Sequence, residues 1–216
     1  MIKAILFDLD GTLLDTLGDI EANVNGMLRE KGYPEITREQ VMAYVGDGAK
    51  KLVERALPSG ADDLDECYTY FRTRFEKSDN ARTKLFGGER EVLERLKGKG
   101  LKLGVVTNKP HLATLRLIEK FFPEGFFDFV YGDDGSFPCK PDPTLARYAA
   151  LTLRVAPAEC MFAGDGETDV KTALAAGMHG IACLWGYRSR GQLVSAGASV
   201  FAHDFAELEK ITEKLL

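Results

Sequence analysis

The sequence predicts an α/β fold in which a parallel sheet forms the core and an all-helical cap is inserted after the first strand. Helix-like and strand-like stretches alternate from about Gly88 onward, which is typical of βαβ units around a parallel sheet. Between about Asp15 and Leu85 this alternation gives way to amphipathic helical patterns, and no strand is predicted there. We therefore expect a Rossmann-like core formed by residues 1–14 and 86–216, with a cap formed by residues 15–85.

The first strand ends in two acidic residues. Ala4 to Phe7 form an apolar run that predicts a buried strand, and Asp8 and Asp10 follow it directly. Side chains two positions apart on an extended strand share a face, so both carboxylates should project beyond the strand tip. Two like charges about 4 Å apart repel by roughly 4 kcal/mol at an effective dielectric constant near 20. We therefore expect positive charge close to them.

The cap pattern predicts four helices. The first ends at Gly32, the second begins at a capping box formed by Thr37 and Gln40, and the third covers about residues 49–57, before Pro58. The apolar stripes of the first and fourth helices comprise Leu17, Ile20, Val24, Met27 and Leu28, and Leu64, Tyr68, Phe71 and Phe75.

The remainder of the core follows a regular rhythm. Its predicted helices cover about residues 90–97, 111–122, 143–153 and 169–176, and its predicted strands cover 103–106, 129–131, 161–163 and 181–184. Each strand is separated from the next by one helix, so parallel pairing is the expected arrangement.

Composition excludes several classes of partner. The net charge of −5 argues against a nucleic acid or an anionic membrane as the main partner. No apolar stretch approaches the roughly 18 residues of a membrane span, and the run before Asp8 is too short for a signal peptide. The cysteines lack CxxC spacing, so neither a disulfide nor a zinc site is expected. We expect a cytoplasmic protein, a monomer or homodimer, that binds neither nucleic acid nor membranes.

Chemically active residues follow four of the predicted strands. Ligands of open α/β sheets bind beyond the carboxyl ends of the strands, so these residues should be considered together. They comprise Asp8 and Asp10, then Thr107, Asn108 and Lys109, then Lys140, and finally Asp165 and Asp169. A carboxylate nucleophile, a hydroxyl donor, a fixed cation and further acids are what a phosphoryl-transfer enzyme needs.

The acids indicate a metal and a division of roles. Asp8, Asp10, Asp165 and Asp169 bring four negative charges together, and Lys140 alone cannot neutralise them, so Mg²⁺ is the expected complement. Asp8 would attack phosphorus and form an aspartyl phosphate. Asp10 would give a proton to the leaving oxygen and later take one from water.

These motifs resemble those of the haloacid dehalogenase superfamily of phosphohydrolases over nearly the whole chain. "DLDGT" is similar to the family's DxDGT and "GDGETD" to its GDxxxD, while Thr107 and Lys140 match its hydroxyl and its lysine. The resemblance implies that Asp8 is the nucleophile, that Asp10 is the acid/base, and that both bind the metal, Asp10 through its backbone carbonyl. It also implies that Asp165 binds Mg²⁺ and that Asp169 stands behind it.

Four further stretches resemble one branch of that superfamily. They are "TNKP", "KPDP", "YVGDGAKKLVERAL" and "LWGYRS", and they are similar to the phosphoglycolate phosphatases. This likeness implies a small phosphorylated metabolite, 2-phosphoglycolate, as the substrate.

Substrate contacts are predicted at two places besides Thr107 and Lys140. Gly46 and Gly48 precede a helix and Lys50 follows, which favours anion binding, although a flexible turn with a solvated basic face fits the same pattern. Asn108 either lines the phosphate site or caps the helix that begins after Pro110.

Other functions remain compatible with this fold. A 2-haloacid dehalogenase needs neither an acid at Asp10 nor a metal, and a phosphonatase of this superfamily usually lacks that acid. A β-phosphoglucomutase retains it, as do phosphatases of sugar phosphates and pyrophosphate, so these stay open. A non-catalytic sensor of phosphorylated metabolites typically loses the nucleophile or a metal acid, and neither is missing here.

Overall fold

The computed structural model describes all 216 residues as eight strands and ten α-helices. The strands are β1 (Ala4–Phe7), β2 (Leu14–Asp15), β3 (Lys84–Leu85), β4 (Lys102–Pro110), β5 (Phe129–Asp133), β6 (Cys160–Gly164), β7 (His179–Cys183) and β8 (Phe201–Ala202). The helices are α1 (Leu17–Glu30), α2 (Arg38–Tyr44), α3 (Ala49–Ala56), α4 (Leu64–Glu76), α5 (Glu89–Gly98), α6 (His111–Phe121), α7 (Thr144–Thr152), α8 (Glu167–Ala176), α9 (Arg190–Ser195) and α10 (Phe205–Glu213).

Six strands form one parallel sheet in the order β5-β4-β1-β6-β7-β8. β1 is central, and its last residue, Phe7, lies opposite Val105 of β4 and Ala163 of β6. Because the strands are parallel, the residues that follow β1, β4 and β6 emerge at one edge of the sheet. The predicted α/β class and parallel sheet are confirmed.

Both faces of the sheet are covered by helices. Ile5 and Phe7 point into an apolar cluster that includes Leu93 of α5 and Phe205 of α10. Ala4 and Leu6 point into the opposite cluster, with α7 and α8. All four side chains of β1 are fully buried, as expected of a central parallel strand. The strand that carries Asp8 at its tip is therefore held firmly on both sides.

Helices α1 to α4 lie between β2 and β3 and bury an apolar cluster of their own. The predicted stripe of α1 is buried throughout, and Phe71 and Phe75 of α4 stack with ring centroids 5.1 Å apart. Thr37 and Gln40 form the predicted capping box, in which Gln40 N–H donates to Thr37 Oγ1 at 3.3 Å. Ala113 of α6 joins this cluster, so the helical insert packs against the sheet region.

The absence of strands from residues 15–85 was a wrong prediction. Where the chain enters and leaves the helical insert, β2 and β3 pair in an antiparallel manner, with Leu14 opposite Leu85 and Asp15 opposite Lys84. Two residues are too few to produce an alternating pattern, and the pairing depends on segments far apart in sequence. The limits at 14/15 and 85/86 stay a prediction. None of the helices combines the length and apolar character that a bilayer crossing requires.

Candidate active site

Three buried carboxylates meet at the carboxyl edge of the sheet. Asp8 follows β1, Asp165 follows β6, and Asp169 lies in the first turn of α8. One oxygen atom from each lies within 4.8 Å of the others. The parallel register of β1 and β6 brings the first two together, and the turn into α8 adds the third.

Asp165 occupies a tight socket between two glycines. Thr12 Oγ1 donates to its Oδ1 at 2.8 Å, and Tyr187 N–H donates to its Oδ2 at 2.7 Å. A Cβ atom added at Gly11 would lie 2.5 Å from Asp165 Oδ2, and one at Gly186 would lie 2.3 Å from Asp165 Cβ. Both positions therefore require glycine, because any side chain would displace the carboxylate.

Lys140 supplies the positive charge of this cluster. Its Nζ lies 2.8 Å from Asp8 Oδ1 and 2.6 Å from Asp169 Oδ1, and the side chain is buried. Burial lowers the pKa of Lys140, but the carboxylates of Asp169 and Asp8 outweigh it and raise that pKa above the usual value. Lys140 is therefore a permanent ammonium ion between two acids.

One ammonium ion is too little for three buried acids. Burial, together with the negative charges of Asp169 and Asp8, raises the pKa of Asp165 to about 7. Burial and the charge of Asp8 raise the pKa of Asp169 to about 6. Asp8 Oδ1 touches Lys140, yet it accepts no hydrogen bond of good geometry although it is buried. The cluster offers only oxygen ligands, carries more negative than positive charge and has one unpartnered oxygen. It therefore fits a hard divalent cation such as Mg²⁺.

Asp10 lies on the other side of Asp8 and has its own cation. Its Oδ1 accepts from Thr16 Oγ1 at 2.6 Å and from Lys109 Nζ at 2.8 Å. Lys109 is buried, and its Nζ lies 4.3 Å from the ring centroid of Phe75 in α4. The ion pair of Asp10 and Lys109 thus touches the helical insert.

Lys109 was predicted at a strand end but without a role. A signal was available: Thr107 and Lys109 are two positions apart on β4, so they share a face beside the two acids that follow β1. Thr107 is buried at the same edge, and its Oγ1 accepts from Lys109 N–H at 3.3 Å but donates to no protein atom. Its hydroxyl hydrogen is thus available to a ligand.

Asn108 does not cap α6, and it lines the cleft above Asp8 and Asp10, where its contact with substrate stays a prediction. Its Oδ1 accepts from Lys140 N–H at 2.7 Å, while its Nδ2 donates to the carbonyls of Lys140 and Gly46, both at 3.0 Å. Both amide hydrogens and the carbonyl oxygen are therefore used within the protein. Asn108 fixes the segment that carries Lys140 and ties it to the turn at Gly46.

The predicted cap residues separate into two groups. Gly46 and Gly48, with φ of 122° and 93°, line the cleft above Asp8 and Asp10. Lys50 does not line it: its Nζ lies 2.7 Å from Asp65, and 56% of its side chain is exposed. The predicted contact of Lys50 with substrate is corrected here, because α3 turns Ala49 and Leu52 inward and leaves Lys50 on its outer face.

A cleft lies between this edge of the sheet and the helical insert. Its floor carries Asp8, Asp10, Thr107 and Lys109, and its apolar wall consists of Ile20, Leu52, Phe71 and Phe75. A concave site with an apolar wall and few polar groups is typical of a small-molecule site.

The segment after β7 fastens the helical insert over the site. Arg188 donates through Nη1 to the carbonyl of Met42 at 2.6 Å and through Nη2 to the carbonyl of Val45 at 2.5 Å, at the end of α2. Its Nε donates to Glu167 at 2.9 Å, at the start of α8. Trp185 in the same segment donates to the carbonyl of Thr12 at 2.9 Å. These contacts were not predicted, because they join segments far apart in sequence.

The chain is similar in sequence and fold to known proteins. The family model described as haloacid dehalogenase-like hydrolase matches residues 5–183. The phosphoglycolate phosphatase of Nitrosospira multiformis is 32% identical over 219 residues, which cover 99% of this chain and 96% of that protein. The phosphoglycolate phosphatase of Xanthomonas campestris pv. campestris is 36% identical over 187 residues, which cover 86% of this chain and 85% of that protein. The crystal structure of a predicted phosphoglycolate phosphatase from Haemophilus somnus superimposes with a TM-score of 0.85 at 27% identity, covering 98% of each chain.

Proposed function

The chain belongs to the haloacid dehalogenase-like hydrolases and is a phosphoric monoester hydrolase, and we propose that it releases phosphate from 2-phosphoglycolate with Mg²⁺ through an aspartyl phosphate on Asp8. The observation that carries this proposal is the buried group of Asp8, Asp165 and Asp169 around the single ammonium of Lys140. The substrate is inferred from the relatives that bear that name.

In the first step Asp8 attacks phosphorus. A bond forms between a carboxylate oxygen of Asp8 and phosphorus, and the bond from phosphorus to the ester oxygen breaks. Asp10 gives its proton to that oxygen, so the alcohol leaves as a neutral hydroxyl. Lys140 and the hydroxyl of Thr107 stabilise the negative charge on the transferring oxygens.

In the second step water attacks the phosphorus of the aspartyl phosphate. Asp10, now ionised, takes the proton of that water, and the bond from phosphorus to Asp8 breaks. Inorganic phosphate is released and both acids return to their starting states. The ion pair of Asp10 with Lys109 and its hydrogen bond from Thr16 hold the acid/base in place between the two steps.

The metal would be held by Asp8, the backbone carbonyl of Asp10, and Asp165, with Asp169 behind them. When bound, Mg²⁺ neutralises the acids and withdraws charge from the phosphoryl oxygens. The hydrogen bonds from Thr12 and Tyr187 orient Asp165 for this task. Lys140 fixes Asp169, so the cluster is arranged before the metal arrives.

Phosphate release from a panel of phosphorylated compounds tests the proposal. With Mg²⁺ present, we expect 2-phosphoglycolate to give a higher kcat/KM than ethyl phosphate, sugar phosphates or pyrophosphate. A sugar phosphate or pyrophosphate turned over at least as efficiently would replace the proposed substrate. Conversion of one sugar phosphate into its isomer without phosphate release would instead indicate a mutase. Binding without turnover of any compound would indicate a sensor.

A further inference from the structure

The geometry points to Lys109 as the residue that binds the carboxylate of the substrate and so selects substrates that carry one. This inference rests on the proposed function and deepens it, because it assigns the group that recognises the part of 2-phosphoglycolate that is not phosphate. It also replaces Lys50, which the sequence had suggested for the same task.

Lys109 is the only cation that lines the cleft. Its side chain is 2% exposed, so its charge acts in surroundings from which water is largely excluded. Lys109 contacts one carboxylate, that of Asp10, whereas Lys140 is held between two. The Nζ of Lys109 carries three hydrogens and has one hydrogen-bond acceptor, with the ring of Phe75 on another side. Lys109 can therefore donate to an additional anion.

The other cations near the cleft are already used or face away. Lys50 is paired with Asp65 on the outer face of α3, and Arg55 is paired with Asp47. The guanidinium of Arg188 donates to backbone carbonyls of the insert and to Glu167. No second cation thus competes with Lys109 for a carboxylate inside the cleft.

The dimensions of the proposed substrate match the position of Lys109. In 2-phosphoglycolate one carbon separates the ester oxygen from the carboxylate, so these groups lie within about 4 Å of one another. Asp10 must reach that ester oxygen to protonate it, and Lys109 Nζ lies 2.8 Å from Asp10 Oδ1. A substrate in contact with Asp10 therefore places its carboxylate within reach of Lys109. A substrate with a long neutral group there would meet Phe71 and Phe75 instead.

The test compares two substrates that differ only in this carboxylate. Ethyl phosphate replaces the carboxylate of 2-phosphoglycolate with a methyl group. For Lys109→Met, activity on both compounds should fall, because Lys109 also contacts Asp10, but the ratio of kcat/KM for 2-phosphoglycolate over ethyl phosphate should fall by a further factor of about 10 to 100. That factor corresponds to the loss of one charge-assisted hydrogen bond. Lys109→Arg should retain part of the preference, because it keeps the charge.

Inhibition by the product is a second readout, which does not depend on the ratio of the two substrates. Glycolate, the product, carries the carboxylate without phosphate, and we expect it to inhibit the wild type and to inhibit Lys109→Met at least tenfold more weakly with ethyl phosphate as the substrate. Far-UV circular dichroism and thermal unfolding establish that the variant is folded. Should Lys109→Met not fold, Lys109→Gln carries the same comparison, and Lys109→Arg stays the control that keeps the charge.

The outcomes separate this inference from the proposed function. A wild type that prefers 2-phosphoglycolate over ethyl phosphate, with the same ratio in Lys109→Met, overturns the role of Lys109 and leaves the substrate intact. A drop of the ratio in Lys50→Met rather than Lys109→Met also overturns it. A wild type that prefers a different carboxylated phosphate ester, with a preference lost in Lys109→Met, overturns the substrate and supports Lys109. A wild type indifferent to the carboxylate overturns both.

Discussion

At the scale of single residues, the site is governed by an excess of buried negative charge. Asp8, Asp165 and Asp169 are all nearly inaccessible to water, and only Lys140 lies among them. The hydrogen bonds that Asp165 accepts from Thr12 and Tyr187 lower its pKa, but burial and the neighbouring carboxylates raise it more. The native fold thus keeps water away from these negative charges, and a bound cation would balance them.

This charge excess predicts how the stability of the metal-free protein depends on pH. The pKa of Asp165 rises from 3.8 to about 7 on folding, so between these values the native state holds a proton that the unfolded state has released. Its contribution to the free energy of unfolding is therefore complete below about pH 4 and is lost as the pH rises through about 7. In EDTA, we expect the Tm of the wild type to fall more between pH 5 and pH 8 than the Tm of Asp165→Asn, which has no such proton to lose.

Thermal unfolding of both proteins at these two pH values checks that expectation. Mg²⁺ serves as the control, because a cation that binds only the native carboxylate cluster should raise the Tm of the wild type at pH 8 and raise that of Asp165→Asn less. Equal losses of Tm in EDTA for the two proteins would show that Asp165 is not the source of the pH dependence.

At the scale of elements, the site depends on how loops are fastened to one another. Asn108 joins the turn at Gly46 to the segment that carries Lys140. Arg188 joins the end of α2 to the start of α8. These ties bring the apolar wall of the cleft over the strand ends, so the enclosed site is a product of contacts between elements and not of any one motif.

Removal of the Arg188 tie should open the cleft. Arg188→Ala leaves the carbonyls of Met42 and Val45 without their donor, so we expect a loss of about 2 kcal/mol in the free energy of unfolding and a decrease in Tm of about 4–8 °C. The insert is then held less firmly over the site, so substrate should bind more weakly. We expect the factor by which KM rises to be several times the factor by which kcat falls.

Arg190→Ala is the matched control for this change. Arg190 follows in the same segment, but its guanidinium stacks on Phe201 of the sheet at 4.8 Å and does not reach the insert. Its KM should stay near that of the wild type. A rise of KM in Arg190→Ala as large as that in Arg188→Ala would refute the tie between α2 and α8.

At the scale of the whole molecule, the predictable features were those that short stretches of sequence determine. The apolar run from Ala4 to Phe7 correctly indicated a buried strand, because parallel strands are apolar on both faces. Helices α1 to α4 and the capping box at Thr37 were likewise determined by local patterns.

Features that depend on the relative placement of distant segments were missed. The β2–β3 pair joins residues about seventy positions apart through two residues on each side, too few for a periodic signal. Lys50 is close in sequence to residues that line the cleft, but its side chain faces away from the cleft. Leu52 and Val53 pack inward and thereby set the rotation of α3 about its axis. Lys109 gained its importance only once β1 and β4 were known to be neighbours.

The central claim is that Asp8 accepts the phosphoryl group, and it is tested most directly by mass spectrometry of the protein quenched in acid during turnover of 2-phosphoglycolate. We predict one phosphoryl group on the peptide that contains Asp8, and neither the adduct nor appreciable turnover in a folded Asp8→Asn protein. No phosphoryl group on that peptide, together with an Asp8→Asn variant that keeps more than about a tenth of the wild-type rate, a barrier increase below about 1.4 kcal/mol, would contradict covalent catalysis by Asp8.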